Sequence, residues 1–404
     1  MKSESLNDLC VDLNLQYGVE ITKQSLHERF NQYAFVFLKV AIQELIQKQI
    51  VLPQRFKPLH FLRILIKDST CFQIDESLED YYPGSGGSGS GASIRIQFEY
   101  DLLVGQVTDL SINAFNEQDA TNSIATIELT RAGDLVIRDL AYMSIEVLQA
   151  IADRFAFYLC RASPSTTIYE KKGDKYCKLD FAGIFKHMQK NRLQTLEKEV
   201  YLGAEDRFQT RMVLHRLPPE VVSTRLRKAR ENKKKKGGGE LTDEYIARAH
   251  LNLFLTNATI EQISTRNTWQ LYRLRWQIEL VFKVWKSIWK VDDVKKVSRY
   301  RLECYILSRL ILIMLGWQVI WSAAVCLYHA EGKVISVFKA AKTLFRNYVG
   351  DLAKLFLLKT RTFVDFLKEF CTLSRSNHLL EKRQKRPTSF DLLISSLNPG
   401  GQVS

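Results

Sequence analysis

In YRLRWQIELVFKVWK (272–286), Tyr272, Arg275, Glu279 and Lys286 fall at i, i+3, i+7 and i+14. If this segment is one helix, a phenol, a guanidinium, a carboxylate and an ammonium share one stripe. Two further carboxylates, Asp68 and Asp139, close the apolar runs FLRILIKDST (61–70) and GDLVIRDLAY (133–142). Strand ends and a helix laid over a sheet can gather three such groups from distant parts of a chain. Carboxylates are hard oxygen donors that suit Mg2+ or Mn2+. Two such ions about 4 Å apart would activate a water or a 3′-hydroxyl and stabilise a leaving 3′-oxygen in phosphodiester chemistry. Arg275 and Lys286 would then meet the non-bridging oxygens of a phosphate, with the Tyr272 hydroxyl as a further donor. The plainer alternative is a solvated helix face laced with i, i+4 ion pairs, and the chain has 44 acidic residues from which a chance trio could be drawn. Under either reading Trp276, Phe282 and Trp285 are expected to pack inward.

The elements that would position these groups are legible by periodicity. SIRIQFEYDL (93–102) alternates Ile94, Ile96, Phe98 and Tyr100 with Arg95, Gln97 and Glu99, the pattern of a half-buried strand. QVTDLSINAF (106–115) repeats it, SIEVLQAIADR (144–154) has helical spacing, and FAFYLCR (155–161) and LNLFLTN (251–257) read as strands. At the start, Leu6, Leu9, Leu13 and Tyr17 line one helix face, Gly18 breaks it and Thr22 caps the next. With Lys23, His27 and Arg29 outward, this is compatible with a helix-turn-helix and equally with a plain bundle. The order is an α/β one: helices (1–55), a sheet (56–162), a basic stretch of short strands (163–250), one more strand with helices (251–330), and a helical end (331–404). PGSGGSGSGAS (83–93) reads as a long loop within the sheet.

A formal net charge of +14 on 404 residues attracts polyanions, so nucleic acid and anionic membrane are the partners to weigh. Arg225, Arg227, Lys228 and Arg230 precede Lys233, Lys234, Lys235 and Lys236, enough charge to release several counterions from a duplex, or else a disordered basic loop. Leu310–Tyr328 carries no charge and is long enough to span a bilayer, but Gln318 at its middle favours a helix buried within a large core. Seven scattered cysteines without a C-x-x-C pair suit reduced thiols in the cytosol, and MKSESLNDLC lacks the apolar run of a secretory leader. No histidine pair has metal spacing, and neither a G-x-S-x-G elbow nor a Walker-type phosphate loop occurs.

The spacing Y-x2-R-x3-E-x6-K resembles the signature of bacterial DDE transposases of the insertion-sequence-four family, and DST at Asp68 and DLAY at Asp139 resemble that family's two aspartate motifs. IRIQFEYDLLVG and FNEQDA after the Gly/Ser stretch resemble the family's sheet hairpin, which removes the case for an artificial linker. The resemblance covers residues 55 to 330, and the two ends more weakly. It implies a ribonuclease-H-like catalytic core interrupted by a β-rich insertion domain and flanked by helical regions. It also implies binding of transposon terminal repeats and target DNA, a homodimer in a synaptic complex, and Mg2+-dependent cleavage and strand transfer in the bacterial cytoplasm, at the nucleoid. On that mapping Asp68, Asp139 and Glu279 are the catalytic metal ligands, and Tyr272, Arg275 and Lys286 contact DNA phosphate. A transposase-derived regulator without catalysis is the alternative. Two positions depart from the pattern: Ala141 stands where many relatives have Gly, and LNLFLTN offers Phe254 where relatives that form a DNA hairpin have a base-stacking tryptophan.

Overall fold

The computed structural model describes residues 5–84, 91–162, 166–235, 237–358, 362–381 and 387–397. Ser5 and Thr22 cap α1 (Leu6–Tyr17) and α2 (Lys23–Arg29), and Gly18 ends α1 in the left-handed conformation at φ 65°. Lys23, His27 and Arg29 are exposed. α3 (Gln32–Gln47) follows. The sheet then begins with β1 (Ile64–Gln73), β2 (Ser93–Asp101) and β3 (Val107–Ala114), and α4 (Asp119–Ala125) leads into β4 (Leu135–Arg138). α5 (Ile145–Asp153) returns the chain to β5 (Phe157–Arg161). The middle of the chain supplies β6 (Ile168–Lys172), β7 (Lys175–Lys178), α6 (Phe181–Lys190), β8 (Thr195–Leu202), β9 (Phe208–Arg216), α7 (Pro219–Lys235) and α8 (Asp243–Ala249). β10 (Leu251–Thr256) precedes α9 (Thr268–Arg273), α10 (Trp276–Ser287) and the long α11 (Arg299–Glu331). α12 (Val337–Thr343), α13 (Val349–Leu358), α14 (Phe363–Asn377) and α15 (Ser389–Leu397) complete the helical end.

All ten strands form one mixed sheet in the order β3-β2-β1-β4-β5-β10-β9-β8-β6-β7. β1, β4 and β5 are mutually parallel, and the other pairings are antiparallel. The stretch expected to be a β-rich insertion therefore does not make a sheet of its own. β6 to β9 extend the same sheet outward from β10. Two apolar layers cover the two faces. Ile64, Ile66, Phe98 and Ile137 pack with Ile278, Trp285 and Trp317 of α10 and α11, while Leu65 and Val136 pack with Val147 and Ile151 of α5.

β2 is not half-exposed as its alternation suggests, because Gln97 and Glu99 are as deeply buried as Phe98. Period two sorts residues between faces, but it does not tell water from a second layer lined with charge partners. The Gly/Ser stretch lies outside the described residues from 85 to 90. The turn between β2 and β3 needs Gly105: its φ is +74°, its carbonyl accepts a 2.6 Å bond from Trp317 Nε1, and a Cβ there would lie 2.1 Å from the Trp321 ring.

The uncharged run 310–328 lies inside α11, the one helix among the described residues long and apolar enough to cross a bilayer. Leu310, Ile313, Met314, Trp317, Ile320 and Trp321 are buried in the protein's own core. Gln318 fits that setting. Its Oε1 accepts from Ile50 N at 3.1 Å, and its Nε2 donates to Gln49 Oε1 at 3.1 Å. Gln49 in turn bonds both the N–H and the carbonyl of Val107, each at 2.8 Å. Gln318→Leu strips two of these groups of a partner and is expected to lower stability by about 1–3 kcal/mol in urea unfolding, whereas a lipid-facing position would accept leucine without loss.

Candidate active site

The geometry starts from the register of β1 against β4. The parallel pairing runs from Ile64↔Leu135 to Lys67↔Arg138 and stops there. Asp68 and Asp139 are the next residues of the two segments, so they emerge side by side just past the last pair, where parallel strands lie about 4.8 Å apart. Alternation puts both on the face covered by α10, opposite Lys67 and Arg138. β4 ends because Asp139 turns the chain: its Oδ1 accepts from Leu140 N at 2.8 Å and opens a short 3-10 turn, Leu140–Tyr142. β1, in contrast, continues along β2 to Gln73. Asp68 is thus within a strand, at the point where its neighbour leaves, rather than at the strand end expected from the DST sequence.

α9 and α10 bring the other groups. Tyr272 Oη donates to Asp139 Oδ1 at 3.1 Å. Arg275 bridges two carboxylates, with Nη1 to Asp68 Oδ2 at 2.7 Å and Nη2 to Glu279 Oε1 at 2.8 Å. Lys286 Nζ donates to the Cys71 carbonyl on β1 at 2.8 Å. Segment 272–286 is not one helix, since α9 ends at Arg273 and α10 begins at Trp276, but Arg275 keeps right-handed helical angles (φ −51°, ψ −34°), so the stripe survives the break. Phe282 and Trp285 are buried, whereas Trp276 is 58% exposed, against expectation. The reason is angular: Trp276 and Trp285 are nine residues apart, about two and a half turns, and so point to opposite sides.

Burial pushes the Asp68 carboxyl up to about 6; the Ser69 N–H and Arg275 oppose the shift, and the neighbouring Asp139 and Glu279 add to it. Burial, then Asp139, also raises the Tyr272 phenol and keeps it protonated as a donor. The Arg275 guanidinium is raised despite its burial, held charged by Tyr272, Asp139, Asp68 and Glu279. Its Nε is buried without a hydrogen-bond partner. Among the described residues no cluster of three or more His, Cys, Asp or Glu side chains is drawn together as a metal cage; Arg275 stands between Asp68 and Glu279 as their shared countercharge. The donor chemistry nevertheless fits a hard divalent cation, with three oxygen donors near enough that two of them raise the third.

Other groups beside the site lie within the quoted motifs but are not singled out by the sequence reading. On the face behind Asp68, Asp119 of α4 accepts from Arg95, from Gln97 Nε2 at 2.9 Å and from Ser69 Oγ at 3.3 Å. Tyr142 Oη donates to Gln97 Oε1 at 2.6 Å. Ser69, the second letter of DST, and Tyr142, the last of DLAY, are therefore joined through β2 and α4. Phe254 is fully buried against Tyr272, with ring centroids 5.2 Å apart, and offers no face for stacking a base.

The basic run is an ordered helix, α7, not a disordered loop. Its inner line is Val222, Arg225, Leu226 and Ala229, and its outer face carries Arg227, Lys228, Arg230, Lys234 and Lys235. Arg225 is committed internally, to the carbonyl of Leu251 at 3.2 Å and Asn252 Oδ1 at 2.6 Å. Lys233 donates to the Glu240 carbonyl and Arg227 pairs with Glu231. Lys236 lies outside the described residues.

A mixed sheet carrying paired strand aspartates under a Y-R-E-K helix defines a class, and comparison with known proteins assigns it. The transposase DDE domain family matches residues 59–315. The transposase of insertion sequence element IS231F from Bacillus thuringiensis subsp. israelensis is 32% identical over 97% of this chain and 84% of its own length. That of IS1151 from Clostridium perfringens is 26% identical over 96% and 85%. A solved piggyBac transposase synaptic complex with hairpin DNA aligns with 94% of this chain and 74% of that chain, at TM-score 0.44 and 12% identity. The chain belongs to the DDE transposase family of bacterial insertion sequences and is a DNA transposase. Divalent metal ions and DNA are the cofactor and partner of this family.

A duplex-binding assay tests whether the outward residues of α7 contact DNA and the committed Arg225 does not. Replacing Lys228, Lys234 and Lys235 with Gln is expected to weaken duplex binding and flatten its log-log salt dependence by roughly 0.9 per lost phosphate contact. Arg225→Ala is expected to lower the unfolding midpoint instead, with little change in salt slope.

Proposed function

We propose that this transposase excises and reinserts its element by cut-and-paste chemistry, with Asp68, Asp139 and Glu279 as ligands of two Mg2+ ions. The observation that carries the reading is the adjacency of Asp68 and Asp139 across β1 and β4, with Glu279 tied to Asp68 through Arg275. When bound, the metal pair would supply an activated water or 3′-hydroxyl and stabilise the leaving 3′-oxygen. The chain's own residues do the rest. Tyr272 orients Asp139 through its hydroxyl. Arg275 would meet a phosphate oxygen once metal ions took over the charge of Asp68 and Glu279, and Lys286 lies beside β1 at the same site.

The strand order 3-2-1-4-5, with β1, β4 and β5 parallel, supports a ribonuclease-H-like core in residues 56–162 and 251–330, completed by β10. Residues 163–250 are then an insertion in chain order, between β5 and β10. The helical 1–55 and 331–404 flank this core, and α1 and α2 with the outer face of α7 are the duplex-binding surfaces. The partners of this reading are the terminal inverted repeats and the target DNA, within a homodimeric synaptic complex in the bacterial cytoplasm, at the nucleoid.

The test uses end-labelled duplexes carrying the element's termini, with Mg2+. Asp139→Asn and Glu279→Gln are expected to cut at least about a thousandfold more slowly while shifting the same duplexes in a gel. Cleavage at the wild-type rate would remove these residues from the chemistry.

The acidity of Asp68 gives a second expectation. A carboxyl with a folded pKa near 6 holds its proton as pH falls below that value, and a cation must displace it. Mn2+ affinity in calorimetry should therefore fall toward tenfold per unit below about pH 6 and level off above pH 7. Constant affinity down to pH 5 would mean either that Asp68 is not a ligand or that its carboxyl titrates well below 6.

A further inference from the structure

Each strand aspartate is preceded by a fully buried basic residue, Lys67 before Asp68 and Arg138 before Asp139. The pairings Asp109↔Glu99, Glu99↔Lys67 and Lys67↔Arg138 place four charged residues in one row across β3, β2, β1 and β4. The row reads acid, acid, base, base. Its ion pairs do not join neighbours. Lys67 reaches over β2 to Asp109 at 2.8 Å, and Arg138 reaches over β1 to Glu99 at 2.6 Å. Hydroxyls take up other valences: Lys67 Nζ donates to Thr126 Oγ1 at 2.7 Å, Arg138 Nη1 to Ser123 Oγ at 2.7 Å, and Thr108 Oγ1 to Glu99 Oε2 at 3.1 Å. The two straddling pairs interlock, so each ties three strands and together they tie four.

We infer that this buried ionic row is a positioning device for the metal ligands. The inference rests on the reading of Asp68 and Asp139 as ligands. β4 has only four residues, and apolar contacts alone tolerate small slides of so short a strand. A slide of β4 along β1 would break Arg138–Glu99 and return an unpaired charge to the interior, a strongly unfavourable state. A slip of one residue would turn Arg138 to the other face of the sheet. The opposite end of the pairing is held in the same way, since Arg63 donates to both carboxylate oxygens of Asp134 at 2.9 and 2.6 Å. The carboxylate pair is the row next to the ionic one, displaced by one residue and facing the other way. Its spacing is therefore set by the ionic row: Lys67, Glu99, Arg138 and Asp109 act on the metal through Asp68 and Asp139 and touch no substrate.

Glu99→Asp shortens one partner of the straddling pair without removing its charge. Three measurements on the full chain test the role: unfolding midpoint, duplex binding without metal, and Mn2+ titration by calorimetry. The expected result is a folded variant with wild-type duplex binding and a Kd for Mn2+ raised about 10- to 100-fold, the range of groups that orient metal ligands. Cleavage should then need correspondingly more Mg2+ and recover toward the wild-type rate at saturation. A lower midpoint with unchanged Mn2+ affinity would overturn the proposal and leave the row a stability feature only. Should Glu99→Asp fail to fold, Ser123→Ala, which removes one of the Arg138 partners and no charge, is read by the same three measurements. Asp139→Asn in parallel keeps the two layers apart. If it binds Mn2+ like the wild type, the ligand assignment fails; if it loses Mn2+ while Glu99→Asp does not, only the positioning role fails.

Discussion

The parallel register of β1 with β4 is the constraint on which the site depends. Asp68 and Asp139 are 71 positions apart in the chain numbering, and neither has acidic neighbours to mark it as half of a pair. They become one only because Lys67 stands opposite Arg138 and β4 ends there. The end of β4 is itself an act of Asp139, whose side chain captures Leu140 N and bends the backbone away. One carboxylate thus makes the bend that exposes both.

Two aspartates and a glutamate brought together in a partly buried place repel one another, and the helix above supplies the remedy. Trp285 and Phe282 anchor α10 on Phe98 of β2, with ring centroids 4.8 and 6.4 Å away. The anchoring fixes which stripe of the helix faces the strands, and Arg275 is on that stripe. Its fork holds Asp68 and Glu279 together, as planar guanidinium groups do with carboxylates. The same planar fork suits a phosphate, so in the proposed function one residue would serve the site with and without DNA.

Much of this was readable beforehand because it rests on local chemistry. Ser5, Gly18 and Thr22 announce the first helices, and Ile64–Ile66 and Leu135–Ile137 announce strands covered on both faces. The three carboxylates and the Y-R-E-K spacing could be named because helix periodicity and motif order survive without tertiary context. What could not be read was pairing. The alternation in β2 looked solvent-facing because Glu99 needs Arg138, 39 positions away, to be tolerated inside. The extension of the sheet by β9 through β7 depends on strand partners that no residue advertises. The break between α9 and α10 leaves the backbone helical and has no Pro or Gly to signal it. In the basic run, composition could not tell Arg225, which binds the first residues of β10, from the lysines turned to solvent.

The two rims of the ten-stranded sheet have a bearing on how copies of this protein can meet. At one rim the Gln49 carboxamide occupies both hydrogen-bonding groups of Val107, imitating an eleventh strand for the length of a single peptide. At the other, β7 is four residues long and displays Lys175, Tyr176 and Lys178 to water, a combination that discourages further pairing. Both rims thereby resist growth of the sheet into a ribbon by strand addition from another copy.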